Sequence, residues 1–183
     1  RYALSAIKSI GRPVIEGIVR EREEHGEYTS LKTFVERNID QINKRVVENL
    51  IKAGALDCLE GNRKQKMTIY TQIIDSINQD KKHTMAGQLS LFDIASEEDK
   101  KEFEIRMPQV EEYPKEIILT FEKEVLGIYL SGHPLERYRN MMENMISAKT
   151  SDFQPDDETG IPEVYDNQKV IVGGMITDKT IKY

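Results

Sequence analysis

The sequence predicts a mainly helical fold, with two tandem helix–turn–helix units, a helical connector and a short β-region at the end. Three observations lead to it. Apolar residues recur at helical spacing over much of residues 2–78 and 114–145. Aromatic residues are only 7 % of the chain and Trp is absent, which suits small helical units better than a sandwich or barrel. The run Lys169-Val170-Ile171-Val172-Gly173-Gly174-Met175-Ile176 is rich in β-branched residues and reads as a strand. At 183 residues, 38 % of them hydrophobic, the chain can form one or two domains with small cores.

Residues 2–10 read as a first helix. Ile10-Gly11-Arg12 reads as a tight turn, and Pro13 stands where a first helical residue belongs, because its ring presets φ and its missing N–H has no intrahelical partner. Val14, Ile15, Ile18 and Val19 then share one helical face, and Gly26 ends the element. Leu31, Phe34 and Val35 form a short helix. Asn43 can cap the next one, on which Val46, Val47, Leu50 and Ile51 share a face. Ala53-Gly54-Ala55 breaks it. A longer helix is expected over Arg63 to Asn78, with Met67, Tyr70, Ile73, Ile74 and Ile77 inward.

From residue 80 to 112 the periodicity stops and a charge run, Glu97 to Glu102, follows, so this span reads as a flexible linker. Pro114 starts another helix to about Leu126, with Ile117, Ile118, Phe121 and Val125 on one face. Leu135, Tyr138, Met141, Met142 and Met145 continue at helical spacing after a turn at Ser131-Gly132-His133-Pro134. The expected divisions are therefore 1–79, 80–112, 113–150 and 151–183. The chain opens at Arg1 directly in an amphipathic pattern and closes at Tyr183 just after a strand-like run, so it is expected to be an internal segment of a longer protein.

Charge is uneven. Residues 1–82 carry 15 basic and 12 acidic side chains, and residues 83–183 carry 11 and 20. Any phosphate contact is expected in the basic front half. The single cysteine, Cys58, cannot form an internal disulfide, lies in no metal-ligand pattern and is expected to be buried. No apolar run approaches the ~18 residues of a membrane span. These features suggest a cytoplasmic protein without a membrane partner.

Two constellations carry functional expectations. A glycine turn between helices, Lys8-Ser9-Ile10-Gly11-Arg12, can point backbone N–H groups outward where the second helix starts. With the helix dipole and the charges of Lys8 and Arg12, those donors suit a phosphate, independent of base sequence. Lys44, Arg45 and Gly54 mark a similar but weaker arrangement in the second unit. The alternative is a pair of ordinary helical hairpins with solvated cations. The second constellation is Gln88-Leu89-Ser90-Leu91-Phe92, an apolar island in a polar linker. Leu and Phe can enter a partner's apolar pocket while the Gln amide fixes register; the alternative is packing on this chain's own core. His133 has no nucleophile or second ligand at a useful spacing, His25 and His83 are isolated, and no Gly-rich phosphate loop follows a strand, so neither a complete active site nor a metal site is expected.

The order of these segments resembles the C-terminal part of the alpha subunit of bacterial DNA polymerase III, of the DnaE type, over essentially the whole chain. The strings that carry it are Arg1-Tyr2-Ala3-Leu4-Ser5-Ala6-Ile7-Lys8-Ser9-Ile10-Gly11, Leu50-Ile51-Lys52-Ala53-Gly54-Ala55-Leu56-Asp57, and Glu124-Val125-Leu126-Gly127-Ile128-Tyr129-Leu130-Ser131-Gly132-His133-Pro134-Leu135. Val170 to Ile176 resembles the first strand of that family's OB domain. The resemblance implies a helix-hairpin-helix region that holds duplex DNA and a clamp-binding pentapeptide at Gln88–Phe92. It also implies the first strands of an OB-type β-barrel and possible contacts with other replisome subunits. The family's catalytic aspartates and their Mg2+ lie upstream, so no catalytic residue or cofactor is expected here. Readings outside this family are a free-standing clamp-associated repair adaptor and a purely structural connector.

Overall fold

A computed structural model describes residues 4–85, 105–157 and 159–182. Six α-helices are present among them: α1 Arg12–His25, α2 Leu31–Asn38, α3 Lys44–Lys52, α4 Arg63–Met85, α5 Lys115–Leu126 and α6 Arg139–Met145. Short 3₁₀ turns occupy Leu4–Ala6, Glu136–Tyr138 and Thr150–Phe153. The chain divides into two compact units, Arg1–Ser131 and Gly132–Tyr183.

In the first unit α3 packs against both α4 and α5, α2 packs against α4, and α1 packs against α2. The core is aliphatic: Val46, Val47, Leu50 and Ile51 of α3 meet Ile69, Ile73, Ile74 and Ile77 of α4, with Leu31, Phe34 and Val35 of α2 alongside. The helix starts follow local chemistry. Ser30 Oγ accepts from the Thr33 N–H at 3.1 Å and Asn43 Oδ1 from the Val46 N–H at 3.0 Å, each satisfying a donor that its helix cannot. Asn62 and Gln65 exchange backbone-to-side-chain bonds of 2.8 Å at the start of α4, a reciprocal cap. Arg37 finishes α1, donating to the carbonyls of Glu21 and Gly26 with its guanidinium 4.5 Å from the Tyr28 ring.

The structure corrects several expectations. The helix expected over 2–10 is, from residue 4 onward, only a 3₁₀ turn, because Ser9 takes φ 62° and the Lys8 N–H bonds to the Val125 carbonyl instead of one four residues back. The left-handed residue of this turn is therefore Ser9. Gly11 has φ −71° and ψ 147°, an extended backbone open to any residue, and α1 begins at Arg12, one residue before Pro13. The long helix runs past Asn78 to Met85. Residues 105–112, expected in a flexible linker, pack on the first unit. Ile105 and Met107 lie against the core, the Pro108 and Val110 carbonyls accept from Gln65 and Asn62, and the Glu112 carboxylate accepts from the N–H groups of Arg63 and Lys64.

Helix α5 starts as expected and buries Val125 of the expected face, but not Ile117. Leu119, Glu122 and Val125 are buried, whereas Ile117 is 41 % exposed. The inward face thus includes a buried carboxylate, which apolar periodicity does not select. The expected connector 113–150 does not form one body, since residues up to 131 belong with the helical unit. Cys58 is exposed rather than buried.

In the second unit Met141 and Met145 are exposed on α6. The strand expected at Val170–Ile176 is not formed among the described residues. Ile171 bonds to Ser147 through its carbonyl (2.9 Å) and through its N–H to the Ser147 hydroxyl (2.9 Å), but no strand lies alongside to extend a ladder. Ile171, Val172 and Ile176 stay exposed, as befits an apolar segment without the sheet neighbours that make a strand stable.

Candidate nucleic-acid interface

The hairpin between the first 3₁₀ turn and α1 is held from beneath and open above. Ile7 and Ile10 are buried in the core, while Lys8, Ser9, Gly11 and Arg12 are exposed. Both peptide groups of Lys8 are fixed: its N–H donates to the Val125 carbonyl of α5 at 2.8 Å, and its carbonyl accepts from the Asn49 amide of α3 at 2.9 Å. The Gly11 carbonyl accepts from the Val14 and Ile15 N–H groups, and no side chain caps the N-terminus of α1. Exposed backbone at an uncapped helix start, flanked by cations, is suited to an anion.

The cations predicted for this site differ in availability. Lys8 and Arg45 are exposed and enter no ion pair among the described residues. Arg45 stands one helical turn before Asn49, the residue of α3 that reaches the hairpin. Arg12 is paired with Glu16 at 3.0 Å on the surface, and Lys44 with Asp75 of α4 at 2.7 Å. Exposed pairs of this kind are worth little and can exchange partners. Ile10 offers only its backbone. Gly54 is a left-handed turn residue (φ 74°) lodged beneath the Arg63 guanidinium.

Arg63 joins the second turn to α5. It donates to Asp57 through Nε and Nη2 and to Glu122 through Nη1 at 3.2 Å. Glu122, fully buried, also accepts from the Leu130 N–H at 2.7 Å and from both the N–H and the hydroxyl of Ser131. Burial alone would raise its carboxyl pKa. The Ser131 and Leu130 donors and Arg63 outweigh that and hold it below the usual carboxylate value. A depressed carboxyl stabilises the fold above its unfolded value and loses that contribution as pH falls through the folded one. Burial alone would raise the Glu112 carboxyl as well, but the N–H bonds of Tyr113, Arg63 and Lys64 together outweigh it and hold it below the usual value. The thermal midpoint should therefore drop as pH falls below about 4.3, and Glu122→Gln should flatten that acid dependence.

Gln88–Phe92 lies outside the described residues. His133 accepts from the Leu135 N–H at 3.2 Å, a turn contact. Glu21, Glu24 and His25 lie close enough to share a cation, but Glu21 is committed to Arg37, and we assign the cluster no role. Among the described residues no helix is long and apolar enough to cross a membrane. Sequence reasoning included Ser9 in the hairpin but missed its left-handed conformation, for which there was no signal, and it missed Asn49. The signal for Asn49 was an amide within the apolar stripe Val46-Val47-Leu50-Ile51.

Comparison with known proteins agrees with this geometry. A helix-hairpin-helix motif matches residues 1–66, the span from the hairpin to the start of α4. DNA polymerase III subunit alpha of Chlamydia pneumoniae is 35 % identical over 84 % of this chain, and that of Borreliella burgdorferi 37 % over 80 %. The chain is homologous to a segment of the DNA polymerase III alpha subunit. The same subunit of Mycobacterium leprae is 31 % identical over 96 % of the chain, which extends the likeness into the second unit. The chain spans 13 % of the length of the Chlamydia and Borreliella relatives and 14 % of the Mycobacterium one.

Proposed function

We propose that this segment holds duplex DNA without regard to sequence and tethers a replicative DNA polymerase to its sliding clamp. The observation that carries the first half is the pinned hairpin, in which Lys8, Ser9, Gly11 and Arg12 are exposed, with the exposed cation Arg45 one turn before the Asn49 that pins it. Contacts to phosphate fix position and carry no base information. Gln88–Phe92 supplies the second half as a clamp-docking peptide. It is carried between the end of α4 at Met85 and the docked segment beginning at Ile105, both parts of the helical unit. A weak hold on DNA combined with a hold on a ring around that DNA raises effective concentration, so processivity needs neither to be tight. The exposed run Val170–Ile176 would become the first strand of an OB-type β-domain. Nucleotide incorporation, with its Mg2+, would belong to the whole polymerase, in the cytoplasm with the other replisome subunits, and to residues outside this chain.

Gly11→Val tests the DNA half. An added Cβ meets only the Pro13 ring at 3.7 Å, an ordinary contact, and the extended backbone accepts valine, so folding should be preserved. The branched side chain would keep a phosphate from the backbone at the start of α1. Loss of one charge-assisted hydrogen bond predicts duplex affinity about tenfold weaker, read by anisotropy with a labelled duplex. Unchanged affinity in the folded variant would remove Gly11 from the site.

A further inference from the structure

We propose that Asn49 is a positioning residue for duplex binding, acting through the carbonyl of Lys8 and never touching DNA. The inference rests on the duplex-holding reading above. Asn49 is 8 % exposed on a helix whose other inward residues are aliphatic. A buried amide there has a desolvation cost that a hydrocarbon would not incur, so its hydrogen bond is what the position provides. That bond runs from Nδ2 to the Lys8 carbonyl at 2.9 Å.

The hairpin needs an external hold. Ser9 sits at φ 62°, a region that L-residues other than glycine enter at a cost and keep only when their surroundings dictate it. The residue before it is gripped from two helices, by the Val125 carbonyl of α5 and by Asn49 of α3, and Ile7 and Ile10 anchor the flanks. Asn49 thus sets the orientation of the peptide that leads into Ser9, and with it the direction of the exposed backbone ahead of α1. Arg45 precedes Asn49 by one turn of the same helix. Preorganisation of this kind raises affinity by removing an ordering cost.

The test compares the 183-residue chain with Asn49→Leu, which keeps the branching at Cγ and removes the donor, and with Ser30→Ala. The latter weakens the cap of α2 and so lowers stability away from the hairpin. Duplex affinity is measured against salt, with thermal midpoints alongside. Asn49→Leu should bind about fivefold more weakly, with a log–log salt slope shallower by about 0.9, one phosphate. Ser30→Ala should bind as the parent does. If Asn49→Leu keeps affinity and slope, or if both variants weaken alike, the positioning role is overturned and the interface itself stands. If the parent chain binds no duplex at low salt, the underlying reading falls with it.

Discussion

Gly54→Val should unfold the helical unit or leave it barely stable. Two independent penalties meet at this position. Its backbone is left-handed (φ 74°), which costs a β-branched residue about 1–2 kcal/mol. An added Cβ would also stand 2.2 Å from Arg63 Nη2 and 2.8 Å from Asp57 Oδ2, so the guanidinium has to leave its seat. Arg63 is buried and bonds Asp57, Glu122 and the Lys52 carbonyl. Breaking a buried ion pair of this sort costs roughly 3–5 kcal/mol. The combined loss, about 4–7 kcal/mol, is comparable to the whole stability of many domains. A melting curve should show either no cooperative transition or one lowered by about 10 °C or more. The contrast with Gly11→Val, which should melt normally, separates a glycine required by the fold from one required by a ligand. A cooperative parent-like melt for Gly54→Val would show that Arg63 has another place to go.

Leu91→Ala with Phe92→Ala should abolish binding to a bacterial sliding clamp while leaving duplex binding unchanged. Burying a Leu or Phe side chain in a partner's pocket is worth about 1.5–3 kcal/mol each. Removing both should cost more than a hundredfold in affinity. The proposed DNA interface lies on other residues, Lys8, Ser9, Gly11, Arg12 and Arg45, so the two activities should separate cleanly. A surface-immobilised clamp with the parent and the double variant at matched concentrations reads this directly. Equal binding of both would return Gln88–Phe92 to the role of an internal packing segment.

Much of the helical unit was legible in the sequence, because its elements are amphipathic and their caps are local. Asn43 and the stripe Val46-Val47-Leu50-Ile51 specify α3 within nine residues. What stayed hidden depends on residues far apart in the chain. Arg63 meets Glu122 across 59 positions, and neither charge betrays in sequence that it will be buried. Glu122 shares the inward face of α5 with Leu119, where Ile117 was expected. Glu112 reads as part of a charged linker, yet it closes the first turn of α4. The candidate site was legible as a hairpin with flanking cations, through Lys8, Gly11 and Arg45. Its left-handed residue was not, since Ser9 takes that conformation under constraint from α3 and α5 rather than by its own preference.

We propose a sequence-independent hold on duplex DNA by the hairpin and Arg45. It is tested most directly by titrating the chain with two duplexes of equal length and unrelated sequence over a range of salt, beside a Lys8→Ala, Arg45→Ala variant. Equal affinities for the two duplexes, falling steeply with salt, and a variant slope shallower by about 1.8 for two lost phosphates are the predicted result. Absence of binding at low salt, or a variant indistinguishable from the parent, would contradict it.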